Sequence, residues 1–386
     1  MRLDHNQLDR IKKKFNVDKI WSFSRVNSFS QCIWDYWAHY LEHMKFDSSN
    51  AYTEFGTFSH DDIQAANAGE IDRTEMIKRW KDFIEQWSHD PKAHRFDSDK
   101  IKLGYINNLD HYYHNTDLLC QNGAKEIRNE VPVMTLIDNA KYVFVGYIDT
   151  EYSDAEGNIV LVDYKTSSKS SFSKAHLPEK SEQLLLYSLG VHQITGTPFE
   201  KIKARFDMMK YVTVHYKQEN GKWNTSIQER RVWVSKMAKK LTTKLKKLDM
   251  APEKIDEMVT IAGLNNNMDN IPEEVRSQFY TTNYYIELDV SEENIKKVAD
   301  KVAHECKEIV DFEHMPKDDQ ISYMEVNHPY DESNYYDTHL CAYHCSDYFK
   351  QREGIKEDDA QDELDAMFVD DSSNGEADAI LEDVFS

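Results

Sequence analysis

The sequence predicts an α+β fold in which a β-sheet core sits inside helical flanks. Three observations lead there. Apolar residues recur at three- and four-residue steps over the first ninety positions, as on a helix with one buried face. Three segments rich in β-branched and aromatic residues then follow one another between 130 and 165. After them come a helical stretch, a further strand and two long helical stretches.

In chain order, residues 28–44 place Phe29, Ile33, Tyr36, Trp37, Tyr40 and Leu41 on one helical face. Helices are also expected at about 56–68 and over 73–88, where Met76, Ile77, Trp80, Phe83, Ile84 and Trp87 repeat the spacing. The Tyr- and His-rich text from 95 to 125 is ambiguous and compatible with helix. Residues 130–137, 141–151 and 158–165 read as a β-meander, with SDAEGN as the turn-forming cluster between the last two. Helix is expected over 180–193, strand over 203–217, and helix over 227–249 and 291–311. This divides the chain into a helical N-terminal region (1–125), a sheet core (126–220), a helical C-terminal region (221–355) and an acidic tail (356–386). No internal repeat is visible.

Composition narrows the class. Forty per cent hydrophobic residues, with 22 Tyr, 17 Phe and 7 Trp, are ample for a packed core. No apolar run approaches the roughly 18 residues a membrane span requires, so no membrane association is expected. The N-terminal text MRLDHNQLDRIKKKF lacks an apolar stretch that would mark secretion. Five dispersed cysteines fit a reducing compartment better than a disulfide framework. The expected location is therefore the cytoplasm, or the host cytoplasm for a phage-encoded chain. The formal charge is −22, and 12 acidic residues with no Lys or Arg follow Lys356, leaving −10 for the first 356 residues. An acidic body weakens a nucleic-acid reading without excluding it, because local clustering of Lys and Arg matters more than the total.

The chemistry concentrates in the second and third strands. Asp149 follows the run FVGYI, and Asp163 and Lys165 follow IVLV. Alternation along a strand points Asp163 and Lys165 to the same face, and a hairpin brings Asp149 beside them. Two carboxylates and a lysine are costly to bury without a partner or metal. Hard oxygen ligands suit Mg²⁺ or Mn²⁺, which polarise a phosphate and acidify a bound water. An isolated Asp-x-Lys reads as a solvated sheet face; this one is not isolated. GYID with Asp149, VDYKT with Asp163 and Lys165, EQLLLY with Gln183 and Tyr187, GTFSH with His60 and the opening SFSRVNSFSQCIWDYW stand in one order. That series resembles the PD-(D/E)XK nuclease family, specifically its RecB-like branch, over about residues 22–217.

The resemblance implies a restriction-endonuclease-like core, a central mixed β-sheet flanked by helices. It also implies a metal-dependent DNA nuclease, an exonuclease serving recombination, repair or phage DNA metabolism. Asp149, Asp163, His60 and the carbonyl of Tyr164 would hold the metal, and Lys165 would assist the attacking water. Gln183 and Tyr187 would support the DNA substrate. Glu130 resembles an acidic position of the family, with an ordinary exposed glutamate as the alternative.

Some RecB-like nucleases carry an iron–sulfur cluster, and Cys32, Cys341 and Cys345 stand in comparable places. Here the late spacing is C-x-x-x-C with no cysteine afterwards. A cluster completed by Cys306 or His344, a mixed zinc site and unliganded thiols all remain open. Lys236, Lys240, Lys244 and Lys247 form a stripe that reads either as a phosphate-tracking surface or as solvated helix. The acidic tail, with its Met367-Phe368-Val369 and Ile380-Leu381 clusters, is a candidate protein-partner segment or a plain solubilising one. A non-catalytic DNA-binding or adaptor protein that recruits a partner through this tail is the alternative reading, and no residue excludes RNA as substrate.

Overall fold

A computed structural model describes residues 2–46, 49–339 and 341–354. The acidic tail lies outside the described residues. Six strands form one mixed sheet: β1 (Lys125–Ile137), β2 (Tyr142–Ser153), β3 (Ile159–Lys165), β4 (Ile202–Lys217), β5 (Trp223–Glu229) and β6 (Phe279–Glu287). Both β1–β2 and β2–β3 are antiparallel, the expected meander, and β3 and β4 run parallel. The turns obey local chemistry. Asp154 accepts backbone N–H bonds from Glu156 and Asn158, and Gly157 supplies the positive φ that the SDAEGN turn needs.

Strand β4 is the hinge of the sheet. Along one edge it pairs with β3 through Lys165↔Met208 and with β5 from Tyr211↔Glu229 onward. Along the other it pairs antiparallel with β6, with a register shift between Asp207 and Val212. Within residues 208–211 the neighbour on one edge therefore changes and the register on the other shifts, and the sheet opens there.

Helices cover the sheet in separate layers. The N-terminal ones are α1 (His5–Phe15), α2 (Phe23–Gln31), α3 (Ile33–Tyr36, continued by a π-helical turn Trp37–Leu41), α4 (Ala51–Ala68), α5 (Arg73–His89) and α6 (Asp99–Asn115). Side-chain oxygens of Asp4, Ser22, Asn50, Asp72 and Ser98 cap five of them, which fixes where each begins. The ambiguous Tyr- and His-rich text is helix α6, burying Tyr105, Leu109, Tyr112 and Tyr113. Together α4, α5 and α6 pack on Tyr152, Val160, Val162 and Tyr164. Between β3 and β4 come α7 (Leu177–Lys180) and α8 (Glu182–Thr195), and α8 packs on Val133, Leu161, Phe206 and Met208. Next are α9 (Trp233–Lys236), α10 (Ala238–Leu245), α11 (Pro252–Asn265) and α12 (Glu273–Arg276), which bury Val212, Val214 and Phe279. The last are α13 (Glu292–Glu313), α14 (Lys317–Asn327), α15 (Tyr335–His339) and α16 (Asp347–Glu353). Helices α2, α3 and α13 share a core with Cys341, Tyr343 and Phe349, so residues 21–38 and 295–349 are packed together.

Three expectations need correction. The helix expected over 28–44 breaks at Cys32, whose backbone is extended (φ −151°, ψ 105°) and which caps α3. The helix expected from 227 begins at Trp233, because 223–229 is the edge strand β5. Strand β6 lies between the two expected long helices, where no strand was expected; Phe279 and Asn283 are buried on one face and Ile286 on the other, so no two-residue period stands out. No described helix is long and apolar enough to cross a membrane.

Candidate active site

The β2–β3 ladder runs from Ser153↔Ile159 to Thr150↔Val162 and stops. Asp149 and Asp163 are the first residues past its end, at the mouth of a fork between two strands. Helix α4 brings His60 to the same place, its Nδ1 3.4 Å from Asp149 Oδ2. Lys165 Nζ lies 3.1 Å from Asp163 Oδ1. The backbone N–H of Tyr164 donates to Asp149 Oδ2 at 3.4 Å, and the His60 imidazole hydrogen-bonds the backbone of Tyr164. Four residues expected to surround a metal, Asp149, Asp163, His60 and Tyr164, thus converge with Lys165.

Tyr164 is held from behind. Its ring points into the helical layer, where the hydroxyl donates to Thr150 Oγ1 at 3.0 Å and accepts from Asn67 Nδ2 at 2.9 Å. Asn67 in turn accepts the Leu119 N–H, and Thr150 donates to Asn129. This buried chain ties β3, β2, β1 and α4 together immediately behind the fork.

Electrostatics record the crowding of negative charge. Burial and the adjacent Asp163 carboxylate push the Asp149 pKa up to about 8. Burial disfavours charge on Lys165, yet Asp163 and Asp149 outweigh it and raise its pKa. The same burial lowers the His60 pKa, with Asp163 opposing, and keeps a ring nitrogen available as a ligand. One lysine against two apposed carboxylates leaves a deficit that a divalent cation would fill. Carboxylate, carbonyl and imidazole donors suit Mg²⁺ or Mn²⁺.

Supporting residues fall around this centre. Gln183 Nε2 donates to the Tyr187 hydroxyl at 2.9 Å, and Tyr187 also bonds the backbone of Tyr147 within the influence of Asp149 and Asp163. Glu130 sits on β1 between the pairs Asn129↔Thr150 and Val131↔Ile148, which sets it opposite Asp149. It raises the Asp149 pKa further, adopts a positive φ of 47° and lies 3.5 Å from Arg2 Nε.

A family model of the PD-(D/E)XK nuclease superfamily matches residues 20–343. The chain belongs to the PD-(D/E)XK nuclease superfamily. No curated protein matches it. The mixed six-stranded sheet flanked by helices is the fold of that superfamily, whose members are typically nucleases that use Mg²⁺ or Mn²⁺.

Other expected site residues of this superfamily member separate. On the lysine stripe, Lys236 is exposed and Lys240 holds its Nζ 4.6 Å over the Tyr216 ring. Lys244 is buried, donating to Lys217 O at 2.5 Å and Gln278 Oε1 at 2.6 Å, so it ties the end of β4 to the residue before β6 and does not belong to a surface stripe. The cause is local: helix α10 packs against Val212 and Val214 of β4, which brings Lys244 to the strand's end. Cys32 and Cys341 have sulfurs 3.0 Å apart, with Asp35 close by. Asp35 is already occupied by the N–H groups of Ala342 and Tyr343 at 3.1 and 2.7 Å. Cys345 turns to the Thr338 carbonyl at 3.4 Å, and Cys306 lies on α13 beside Glu305, Lys19 and Arg25. Two converging thiols and an engaged carboxylate do not fit a four-thiolate iron–sulfur cluster.

Lys210 was missed. It lines a cleft beside Lys165 and Thr166 with Tyr52 and Tyr105, its Nζ 4.7 Å over the Tyr105 ring. A single lysine inside strand text reads as solvated, and only the opening of the sheet at 208–211 shows otherwise.

Proposed function

We propose that the protein is a metal-dependent deoxyribonuclease with its active centre at Asp149, Asp163, Lys165 and His60. The observation that carries this reading is the convergence of two carboxylates, an imidazole and a lysine where β2 and β3 part. Asp149, Asp163, His60 and the Tyr164 carbonyl would hold the metal. When bound, Mg²⁺ or Mn²⁺ supplies Lewis acidity to the scissile phosphate and lowers the pKa of a water. Lys165, with its Nζ 3.1 Å from Asp163 Oδ1, would orient the water and offset charge developing on the phosphate. Gln183 and Tyr187 brace the opposite wall. No protein nucleophile is required.

The order of the GYID, VDYKT, EQLLLY and GTFSH motifs supports the RecB-like branch, an exonuclease mode of action and a place in recombination, repair or phage DNA metabolism. The complete Asp149, Asp163 and Lys165 set disfavours a non-catalytic adaptor. Purified protein incubated with end-labelled single- and double-stranded DNA, with Mg²⁺, Mn²⁺ or EDTA, is expected to give a metal-dependent product ladder. Asp163→Ala and Lys165→Ala are each expected to abolish cleavage while the circular-dichroism spectrum is kept. Cleavage retained by both variants would remove the assignment.

A further inference from the structure

The outer half of the sheet is covered on one face and open on the other. Helices α9–α12 bury Val212, Val214 and Phe279. The opposite face carries the alternate residues of β4, β5 and β6, and it is aromatic. Tyr211 and Tyr284 lie at its inner end with ring centroids 6.5 Å apart. His215 stacks on Tyr280 at 4.3 Å and an interplanar angle of 3°, and Trp223 meets Tyr280 edge-on at 5.1 Å. Register confirms the shared face, since His215 pairs with Tyr280 and Lys217 with Trp223. Trp223 and Tyr280 are each 47 % exposed. Contiguous exposed rings on one sheet face mark a contact surface, where rings scattered singly would not.

We infer that this face is a stacking track for single-stranded DNA leading to the catalytic fork, a conclusion that rests on the nuclease reading above. Two features of the surroundings select that occupant. The track is continuous with the active centre: the Tyr211 hydroxyl accepts the backbone N–H of Lys169 at 3.1 Å and contacts Ser168, three residues past Lys165. Its charge is also complementary. Lys217 lies over Trp223 at 6.0 Å, and Lys217, Lys222 and Lys169 are exposed at its two ends. Its acidic residue Glu229 is engaged by Arg231 and Asn108 at 2.8 and 3.2 Å. From Tyr211 to Lys217 the track is about 20 Å long at ordinary strand rise. Bases within a duplex hide their π faces in the stack, whereas unpaired bases present them to rings. Strandedness preference is thus written outside the metal centre.

The test measures anisotropy of labelled oligo(dT) and of a matched duplex in EDTA, alongside Mn²⁺-dependent hydrolysis of bis(p-nitrophenyl) phosphate. The Trp223→Ala/Tyr280→Ala double variant is expected to bind oligo(dT) about ten- to a hundredfold more weakly. Duplex affinity and hydrolysis of the small diester should be unchanged, and Trp223→Phe/Tyr280→Phe should restore oligo(dT) binding. An unchanged oligo(dT) Kd in the alanine variant overturns the inference, as it would if the face instead seats the chain's own acidic segment. A wild-type protein that hydrolyses neither the diester nor DNA removes the nuclease reading, and the oligo(dT) comparison is unaffected by that result.

Discussion

Gly146 shows how one residue shapes the candidate centre. A Cβ at this position would collide with the ring and hydroxyl of Tyr187, the residue that receives the Gln183 hydrogen bond. The glycine in GYID is therefore a space requirement of the motif's partner helix, and its φ has no part in it. Gly146→Ala is expected to cost about 1–3 kcal/mol by overpacking and to displace Tyr187, lowering cleavage as well as stability. Pairing it with Tyr187→Ala frees the room that the methyl group needs. The double variant should lose less stability in urea than the two single losses added together. Strict additivity would show that the ring and the glycine do not meet. The same scale explains what the sequence made visible at the site. Asp149, Asp163 and Lys165 were legible because strand alternation and motif order place them without knowledge of packing. Lys210 was not, because its position depends on where β3 ends and β5 begins along β4.

At the scale of elements, legibility followed burial pattern. Strands β2, β3 and β4 are buried on both faces over much of their length, so their apolar runs announce them. Strand β5 has no buried residue and β6 has three, unevenly spaced, so neither an apolar run nor a period dominates their text. The break at Cys32 was hidden for a different reason: apolar spacing continues across it, and only the extended backbone turns the thiol inward. The lysine stripe on α9 and α10 separates the same way. Lys236 is exposed, while Lys244 donates to Lys217 O and Gln278 Oε1 from a buried position. Lys244→Ala removes two hydrogen bonds from a charged donor, to Lys217 O and Gln278 Oε1, and should cost about 1–3 kcal/mol. Lys236→Ala should fall within about 0.5 kcal/mol of wild type. Equal urea midpoints for the two variants would return Lys244 to the surface.

At the scale of the whole molecule, the buried polar layer between α6 and the sheet couples folding to pH. Burial, with Arg230 and His114 nearby, lowers the His111 pKa to about 4 from its ordinary 6.5. Between those values the unfolded chain binds a proton that the folded chain refuses, so acidification through this window destabilises the fold. Asp207, raised to about 6 by burial, acts in the opposite direction: its folded form takes up a proton first and gains stability as pH falls. The net profile is therefore flattened, and wild-type stability alone does not display the histidine. A difference measurement does. Replacing His111 with glutamine removes one contribution and leaves Asp207 in place. Moving from pH 7 to pH 5, the wild type should lose about 2 kcal/mol more than the variant, since one pKa unit corresponds to about 1.4 kcal/mol. Urea midpoints at the two pH values read this directly, and parallel losses in the two proteins would show that His111 is protonated as readily folded as unfolded.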